Sequence, residues 1–290
     1  MALHVQTFKT RTLTSVVFVI IMLSGLLVNP WSFLLLFCVI HFGCWFEYQK
    51  MIARIFPAYK ITTSMQNYAI IFLGFGFMLW MTNDAFIIGA IKLKEVGFFL
   101  MLINLSAFIF SIFLYKMYHD KRILSALIIG FIYISVSCGL MLNLRTTGII
   151  SGSIFSLDFG LILPLLIIAS MWVNDTMAYI VGSLIGKTPL SSISPKKTWE
   201  GTIGGVVLAV TVITICGYIF YKADVLQLIL ISTIACIAGI LGDLFESKLK
   251  RMAGIKDSGN FMPGHGGFLD RFDSMLMATI FVWLYVKLFL

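Results

Sequence analysis

Residues 203–221 read IGGVVLAVTVITICGYIFY and contain no charged side chain. A helical run of this length spans the roughly 30 Å hydrocarbon core of a bilayer, because an α-helix rises about 1.5 Å per residue. The chain has further runs of this kind: 60% of its 290 residues are hydrophobic and only 12% are charged. A soluble domain is about 25% charged. The composition therefore excludes a water-soluble globule and predicts an integral membrane protein.

Nine apolar runs predict nine membrane-spanning helices and an all-α, polytopic fold. Strand-like alternation is absent from these runs, and a helix satisfies its own backbone hydrogen bonds within lipid. The first run also resembles a signal peptide, but no small-residue cleavage site precedes Asn29, so a retained span is expected. The predicted spans are 13–28, 31–46, 68–91, 96–115, 123–142, 161–185, 203–221, 225–244 and 274–290.

The basic residues predict the orientation of the chain. Its 21 Lys and Arg exceed its 13 Asp and Glu, and a cytoplasmic N-terminus places most of these basic residues in cytoplasmic loops. We therefore expect the N-terminus, and the basic polar stretches between the spans, on the cytoplasmic side of the membrane. Residues 1–160 form an N-terminal transmembrane region, in which 47–60 is interpreted as an interfacial turn. Residues 161–290 form a C-terminal catalytic transmembrane region, because most polar clusters lie there.

The longest polar stretch, residues 242–274, reads GDLFESKLKRMAGIKDSGNFMPGHGGFLDRFDS. Asp243 ends the eighth predicted span, and Glu246, Ser247 and Lys250 follow at helical spacing. If the helix continues past residue 244, these side chains share one face. The stretch thus combines acidic and basic groups at a membrane boundary.

The turn at residues 263–267, PGHGG, cannot be regular helix, and its glycines allow backbone N–H groups to face an anion. Asp270 and Asp273 follow at the start of the ninth span, where the helix dipole is positive. Carboxylates beside basic residues suit a polyphosphate bound with Mg²⁺, which takes oxygen ligands. A basic loop that binds anionic lipid, with the Asp residues as helix caps, is the alternative.

A second cluster lies in residues 172–201, where Asn174 and Asp175 interrupt an apolar helix. An intramembrane carboxylate usually faces a partner or a watery cavity. Thr198 is a candidate N-cap for the seventh span, while Lys196 and Lys197 are either phosphate ligands or ordinary loop charges. Small residues at four-residue spacing predict a strip for close helix packing: Asn174, Ala178, Gly182 and Gly186.

These motifs together resemble the phosphatidate cytidylyltransferases, also called CDP-diacylglycerol synthases. The residues that carry the resemblance lie mainly in the last 120 or so: Asn174-Asp175, Ser194 to Gly201, Gly242-Asp243, Glu246-Ser247, Lys250-Arg251, Lys256-Asp257, Pro263 to Gly267, and Asp270-Arg271 with Asp273. Glu47, after Trp45, is similar to an N-terminal Glu of the family, and Met177 departs from the small residue found in many relatives.

The resemblance implies a membrane enzyme that transfers the cytidylyl group of CTP to phosphatidic acid, with release of pyrophosphate. It further implies a requirement for Mg²⁺, room for a second cation such as K⁺, contact with the bilayer, a homodimer, and no nucleic-acid partner. A catalytic base is not needed, because a phosphate monoester with a second pKa near 6 is already ionised at neutral pH.

The site residues expected from the motifs and the resemblance fall into three groups. The leading metal ligands are Asp243 and Asp270, and the further candidates near the metal are Asp273, Asp175 and Glu246. The residues expected at the reacting groups are Asp243, Asp270, Lys256, His265 and Arg271, with His265 in a positioning or phosphate-contacting role. The substrate-binding residues are Asn174, Asp175, Ser194, Lys196, Lys197, Ser247, Lys250, Arg251, Asp257, Gly264, Gly266 and Gly267.

Two other functions remain open at this point. A transporter for an anionic solute also carries charged residues in its spans, but no internal repeat is visible and the charges lie at one membrane boundary. A CTP-using lipid kinase would transfer the γ-phosphoryl group instead. The position of a radiolabel in CTP separates the kinase from a cytidylyltransferase.

Overall fold

The computed structural model describes residues 5–61, 64–114, 121–147, 159–262 and 266–290, and nearly all of them are helical. This confirms the predicted all-α class. The helices are α1 (Val5–Leu27), α2 (Pro30–Ile55), a 3-10 turn (Pro57–Ile61), α3 (Ser64–Trp80), α4 (Leu93–Leu114), α5 (Lys121–Gly130), a π-helical turn (Phe131–Val136), α6 (Ser137–Thr146), α7 (Phe159–Ile185), α8 (Trp199–Tyr221), α9 (Val225–Met252) and α10 (Leu269–Phe289).

Within the described residues, seven helices are long and apolar enough to cross a membrane, judged by length and composition. Two shorter apolar helices, Thr12–Leu27 and Gln66–Trp80, accompany them. Each of the nine overlaps one predicted span, because α5, the π-helical turn and α6 run on as one span, Lys121–Thr146. The polytopic architecture is therefore confirmed.

The third predicted span, 68–91, is wrong at its C-terminal end. Helix α3 stops at Trp80, and the chain then forms two short antiparallel strands, β1 (Ile87–Ile88) and β2 (Ile91–Lys92). Asn83 and Gly89 both have positive φ, of 55° and 63°, which turns the chain out of the helix before β1 and back between the strands. The apolar residues after Trp80 belong to this hairpin.

The segment between α3 and α4 is tied together by charge. The Asp84 carboxylate lies 2.7 Å from Lys94 Nζ and 3.1 Å from Lys92 Nζ. Hydrogen bonds from these two lysines lower the pKa of the Asp84 carboxyl. Asp84 and its two lysine partners are partly to largely exposed. Asp84 lies outside the polar clusters described below and is the position of a control variant there.

The chain divides into two compact units. The first unit comprises Met1–Thr146 and Met252–Phe272, and the second comprises Thr147–Arg251 and Asp273–Leu290. The functional division at residue 160 stays a prediction.

Helix α2 is the central helix of the first unit. It begins at a capping box, in which the Asn29 side chain accepts the Ser32 N–H at 2.8 Å and Ser32 Oγ accepts the Asn29 N–H at 3.1 Å. Farther along, Trp45 Nε1 donates to Ser135 Oγ at 2.8 Å and the Tyr48 hydroxyl donates to the Ala126 carbonyl at 2.7 Å. These bonds fasten α2 to α5 and the π-helical turn.

The interpretation of residues 47–60 as an interfacial turn is wrong over its first half. Helix α2 continues to Ile55, and Glu47 lies within it with only 5% of its surface exposed. The polar contacts that Glu47 makes, described below, stabilise the helix at this position.

In the second unit, the small-residue strip of α7 receives α8. A Cβ built on Gly205 would come within 2.7 Å of Ala178 Cβ, and one on Gly182 would come within 3.2 Å of Thr198 Oγ1. Thr198 has an extended backbone and its hydroxyl accepts the Gly201 N–H at 3.2 Å. Both the packing strip and the Thr198 N-cap are therefore confirmed.

Candidate functional site

The connector between α7 and α8 is a short hairpin with defined hydrogen bonds. The Leu190 N–H donates to the Lys197 carbonyl at 2.7 Å, and the Trp199 N–H donates to the Thr188 carbonyl at 2.9 Å. The Glu200 carboxylate also accepts the Thr188 N–H at 3.2 Å. The backbone that carries Lys197 is therefore held in one conformation.

From this hairpin, Lys197 reaches Asp243 in the C-terminal half of α9. Its ammonium forms an ion pair with the Asp243 carboxylate, and the two side chains are 38% and 21% exposed. Because both groups are half-buried, solvent screens their attraction less than it would at an open surface. The Lys196-Lys197 motif and the Gly242-Asp243 motif are therefore in contact within the second unit.

Gly242 allows α9 and α10 to come into close contact next to Asp243. A Cβ at position 242 would overlap the main-chain carbonyl of Asp273 and lie 2.9 Å from Met277 Cβ. A residue larger than glycine would push the two helices apart. The glycine before Asp243 thus brings Asp243 and Asp273 to adjoining positions on neighbouring helices.

We call Asp175, Asp243 and Asp273 the carboxylate cluster. Asp273 is 8% exposed and interacts electrostatically with Asp175 and Asp243, and with the Lys250 ammonium. Lys197 contacts the same cluster through Asp243. Carboxylates beside two ammonium groups are the residue types that bind a cation together with phosphate oxygens.

The carboxylate cluster suits an Mg²⁺ ion that is bound partly by protein carboxylates and partly by oxygens of the substrate. Among the described side chains, no group of three or more His, Cys, Asp or Glu is arranged as a complete metal site. Mg²⁺ is usually held by one or two carboxylates together with water and phosphate. Asp243 and Asp273 supply oxygen ligands of that kind, so the set suits a metal that arrives with a polyphosphate.

One turn beyond Asp243, α9 carries a buried ion pair between Glu246 and Lys250. Glu246 is fully buried, and the Lys250 side chain is 12% exposed. Helix α9 continues to Met252, which confirms that Asp243, Glu246 and Lys250 follow one helix at the predicted spacing. Lys250 therefore forms an ion pair with Glu246 and also interacts electrostatically with Asp273 of the carboxylate cluster.

Asn174 lies one residue before Asp175 on α7 and is 4% exposed. In the part of the chain that the structure describes, its Oδ1 is buried and has no hydrogen-bond partner. A buried oxygen without a donor costs about 1–3 kcal/mol, and such groups often mark functional positions. The prediction that Asn174 binds substrate is consistent with this orphaned oxygen and stays a prediction.

A different set of polar contacts lies in the first unit, where Glu47, Ser258 and Asp270 form what we call the loop anchor. Glu47 Oε1 accepts the Phe268 N–H at 2.9 Å, and Oε2 accepts the Leu269 N–H at 2.9 Å. The Ser258 hydroxyl lies 2.7 Å from Glu47 Oε2 and 2.9 Å from Asp270 Oδ2. The hydroxyl has one proton and donates it to one of these carboxylates at a time. Because the Ser258 N–H also donates to Asp270 Oδ2, Ser258 still links Glu47 and Asp270.

Asp270 itself orders the backbone around it. Its Oδ2 accepts the Ser258 N–H and the Gly267 N–H, both at 2.8 Å. The sequence predicts that N–H groups of the glycine turn and of the start of the last helix face a phosphate. In the structure, Gly267 donates to Asp270, and the first N–H groups of α10 donate to Glu47. The anions at this helix start are the protein's own carboxylates.

The remaining predicted residues lie at varied depths. Ser247 is buried, and Ser194 and Gly266 are partly buried. The exposed side chains are Lys196, Arg251, Lys256, Asp257 and Arg271. Gly264 and His265 lie outside the described residues. Asp243 belongs to the second unit and Asp270 to the first, so their proposed sharing of one metal ion stays a prediction.

Glu47 is the residue that the sequence analysis left out of its site. The available signal was an acidic residue in an otherwise apolar stretch that directly follows the second predicted span. Such a residue is costly to bury unless it has partners. Interpreting residues 47–60 as a turn placed Glu47 in solvent, where it needs no partner, and thereby concealed its contacts.

A family model described as "Cytidylyltransferase family" matches residues 9–289, which is nearly the whole chain. The chain belongs to the cytidylyltransferase family. Because the match includes α2 to α10 and all but the first residues of α1, membership covers both compact units of the chain.

Curated relatives of this chain carry a more specific name. It is 36% identical over 163 residues to "Phosphatidate cytidylyltransferase 4, chloroplastic" of Arabidopsis thaliana, which covers 53% of this chain and 41% of the relative. It is 46% identical over 121 residues to the phosphatidate cytidylyltransferase of Bacillus subtilis, a match that covers 41% of this chain and 45% of the relative. It is 42% identical over 123 residues to the phosphatidate cytidylyltransferase of Helicobacter pylori strain J99, a match that covers 42% of this chain and 46% of the relative. The matched region thus spans less than half the length of each of these relatives.

Proposed function

We propose that this family member is a phosphatidate cytidylyltransferase, which converts CTP and phosphatidic acid into CDP-diacylglycerol and pyrophosphate. The observation that carries the proposal is the carboxylate cluster on membrane helices α7, α9 and α10, with Lys197 paired to Asp243 and Lys250 close to Asp273. The chain's family and the names of its relatives support CTP as the nucleotide and phosphatidic acid as the lipid.

In the proposed reaction, an oxygen of the lipid phosphate forms a bond to the α-phosphorus of CTP. The bond from that phosphorus to the oxygen bridging to the β-phosphate breaks, and pyrophosphate leaves with the electron pair. The nucleophile is already ionised because its second pKa is near 6, so no side chain has to remove a proton. The main barrier is the repulsion between two anions.

The residues of the carboxylate cluster are suited to reduce that repulsion. Asp243 and Asp273, with Asp175 beside them, would hold Mg²⁺, which supplies charge neutralisation at the phosphates when it is bound. Lys197, which pairs with Asp243, lies where it can donate to a phosphate oxygen once the carboxylate has another cation to bind. Lys250 keeps positive charge beside Asp273. The chain's own groups thus offset the charge of both substrates.

Other features of the proposal rest on the resemblance and on charge. We place the N-terminus and the carboxylate cluster on the cytoplasmic side because of the excess of Lys and Arg in those loops. A bacterial cytoplasmic membrane, a homodimer and a second cation such as K⁺ follow from the resemblance alone. The exposed basic residues Lys196, Arg251, Lys256 and Arg271 are proposed to contact phosphate groups of the substrates.

The test uses the purified full-length chain in detergent with phosphatidic acid, Mg²⁺ and labelled CTP. We expect label from α-³²P-CTP in the lipid, with pyrophosphate released only when phosphatidic acid is present. Label in the lipid from γ-³²P-CTP would instead identify a kinase and refute the proposal.

Two matched variants test the site. Asp243→Asn should abolish product formation, while Asp84→Asn, which removes the same charge from the exposed segment before the hairpin, should leave turnover unchanged. Wild-type turnover in Asp243→Asn would remove the carboxylate cluster from the mechanism.

A further inference from the structure

Glu47 is a buried acidic residue with three donors around its carboxylate. It lies in α2 with 5% of its surface exposed, and its oxygens accept the N–H groups of Phe268 and Leu269 and the hydroxyl of Ser258. A carboxylate removed from water is costly unless such charge-assisted bonds satisfy it. The three donors make this arrangement specific for a charged side chain with two oxygens.

The glycines around Glu47 leave room for its carboxylate. A Cβ built on Gly259 or on Gly267 would overlap the carboxylate oxygens of Glu47. Gly267 therefore has two roles in this unit: its missing side chain admits Glu47, and its N–H donates to Asp270. The need for glycine at position 267 is explained by Glu47 without any contact to a ligand.

The contacts of Glu47 orient the start of α10. Phe268 and Leu269 are the residues whose N–H groups precede the helical hydrogen-bond ladder, and Glu47 satisfies both. Asp270 comes next and is joined to Glu47 through Ser258, whose hydroxyl donates to Glu47 and whose N–H donates to Asp270. The sequence predicts Asp270 and Arg271 at the reacting groups. Because both follow directly after the backbone that Glu47 holds, their placement depends on Glu47.

We propose that Glu47 is a positioning residue for cytidylyl transfer, which acts by fixing the start of α10 and the Asp270 carboxylate. In this role it acts through Ser258 and the backbone of residues 268–269, because it is buried and its oxygens accept three protein donors. This inference rests on the proposed function, since Asp270 and Arg271 have a role in turnover only if that function is correct.

The experiment compares Glu47→Gln with wild type in the full-length chain, and uses Glu95→Gln as the control. Gln has the shape of Glu but presents an amide NH₂ where one oxygen accepts a donor, so at least one bond is lost. Glu95 is an exposed residue at the start of α4. Hydrogen exchange over residues 266–272 and over α2 is measured together with turnover of α-labelled CTP.

We expect Glu47→Gln to lower kcat by about 10–100-fold, the usual effect of removing a partner that orients a site residue. Amide exchange should rise at residues 266–272 while α2 keeps its protection, because the lost bonds hold only the start of α10. Ser258→Ala, which keeps both backbone bonds to Glu47, should also lower kcat, but by a smaller factor. Glu95→Gln should match wild type in both measurements.

Unchanged exchange at residues 266–272 in Glu47→Gln would refute the contacts on which the proposal rests. Faster exchange throughout the first unit would show a general structural role and would also refute it. Faster local exchange with wild-type kcat would show that the start of α10 does not need this orientation. If wild type itself makes no CDP-lipid, the proposed function fails and this role fails with it, while the exchange data still decide whether Glu47 holds the helix start.

Discussion

The buried pair of Glu246 and Lys250 allows a prediction whose size follows from the structure. Glu246 is fully buried, while the Lys250 side chain is 12% exposed. Lys250→Met leaves the carboxylate in a low-dielectric environment without its ammonium partner. Breaking a buried pair in this way costs about 3–5 kcal/mol in the free energy of unfolding.

The reverse change should cost less, because the two partners differ in access to solvent. In Glu246→Met, the long Lys250 side chain can direct its ammonium toward water. Glu246 has no such route in Lys250→Met. The double variant Glu246→Met/Lys250→Met removes both charges and should recover most of the loss, since replacing a buried pair by apolar residues is often neutral.

Thermal unfolding of the purified protein in detergent measures these differences. A loss of about 3 kcal/mol corresponds to roughly 6–12 °C in the midpoint for a chain of this size class. Lys248→Met, at an exposed position of the same helix, is the control and should stay within about 0.5 kcal/mol of wild type. Additive effects of the two single variants in the double variant would refute the reasoning.

Two further predictions concern helix contacts in the second unit. Gly242→Ala should destabilise the fold by about 1–3 kcal/mol and lower turnover as well, because the added Cβ meets the Asp273 backbone; thermal unfolding and the labelled-CTP assay check this, and full activity would show that the helix spacing is not needed. Thr198→Ala should cost about 1 kcal/mol through loss of the N-cap of α8, whereas Thr198→Ser should keep it; equal unfolding midpoints for the two variants would contradict the cap.

Much of the architecture follows from local chemistry and could be predicted. The apolar runs imply helices because lipid offers no partner for a backbone N–H or C=O, so each run must satisfy its own. The Thr198 cap and the small residues Ala178 and Gly182 act within one or two helical turns. Such short-range features can be recognised from the residue types and their spacing along the chain. The third span was mispredicted because apolar residues resume at 85–88 after the polar residues 82–84, while Asn83 and Gly89 turn the chain.

The arrangement of the charged side chains depended on contacts between distant segments. The sequence alone identified the membrane class, the helices and the polar stretches that carry the family motifs. Only the tertiary structure joined Lys197 to Asp243, set Asp273 beside it across Gly242, and assigned Glu47 to the start of α10. Residue spacing along the chain reports which face of one helix a side chain shares, whereas the partner of a buried charge is decided by which helices pack against each other.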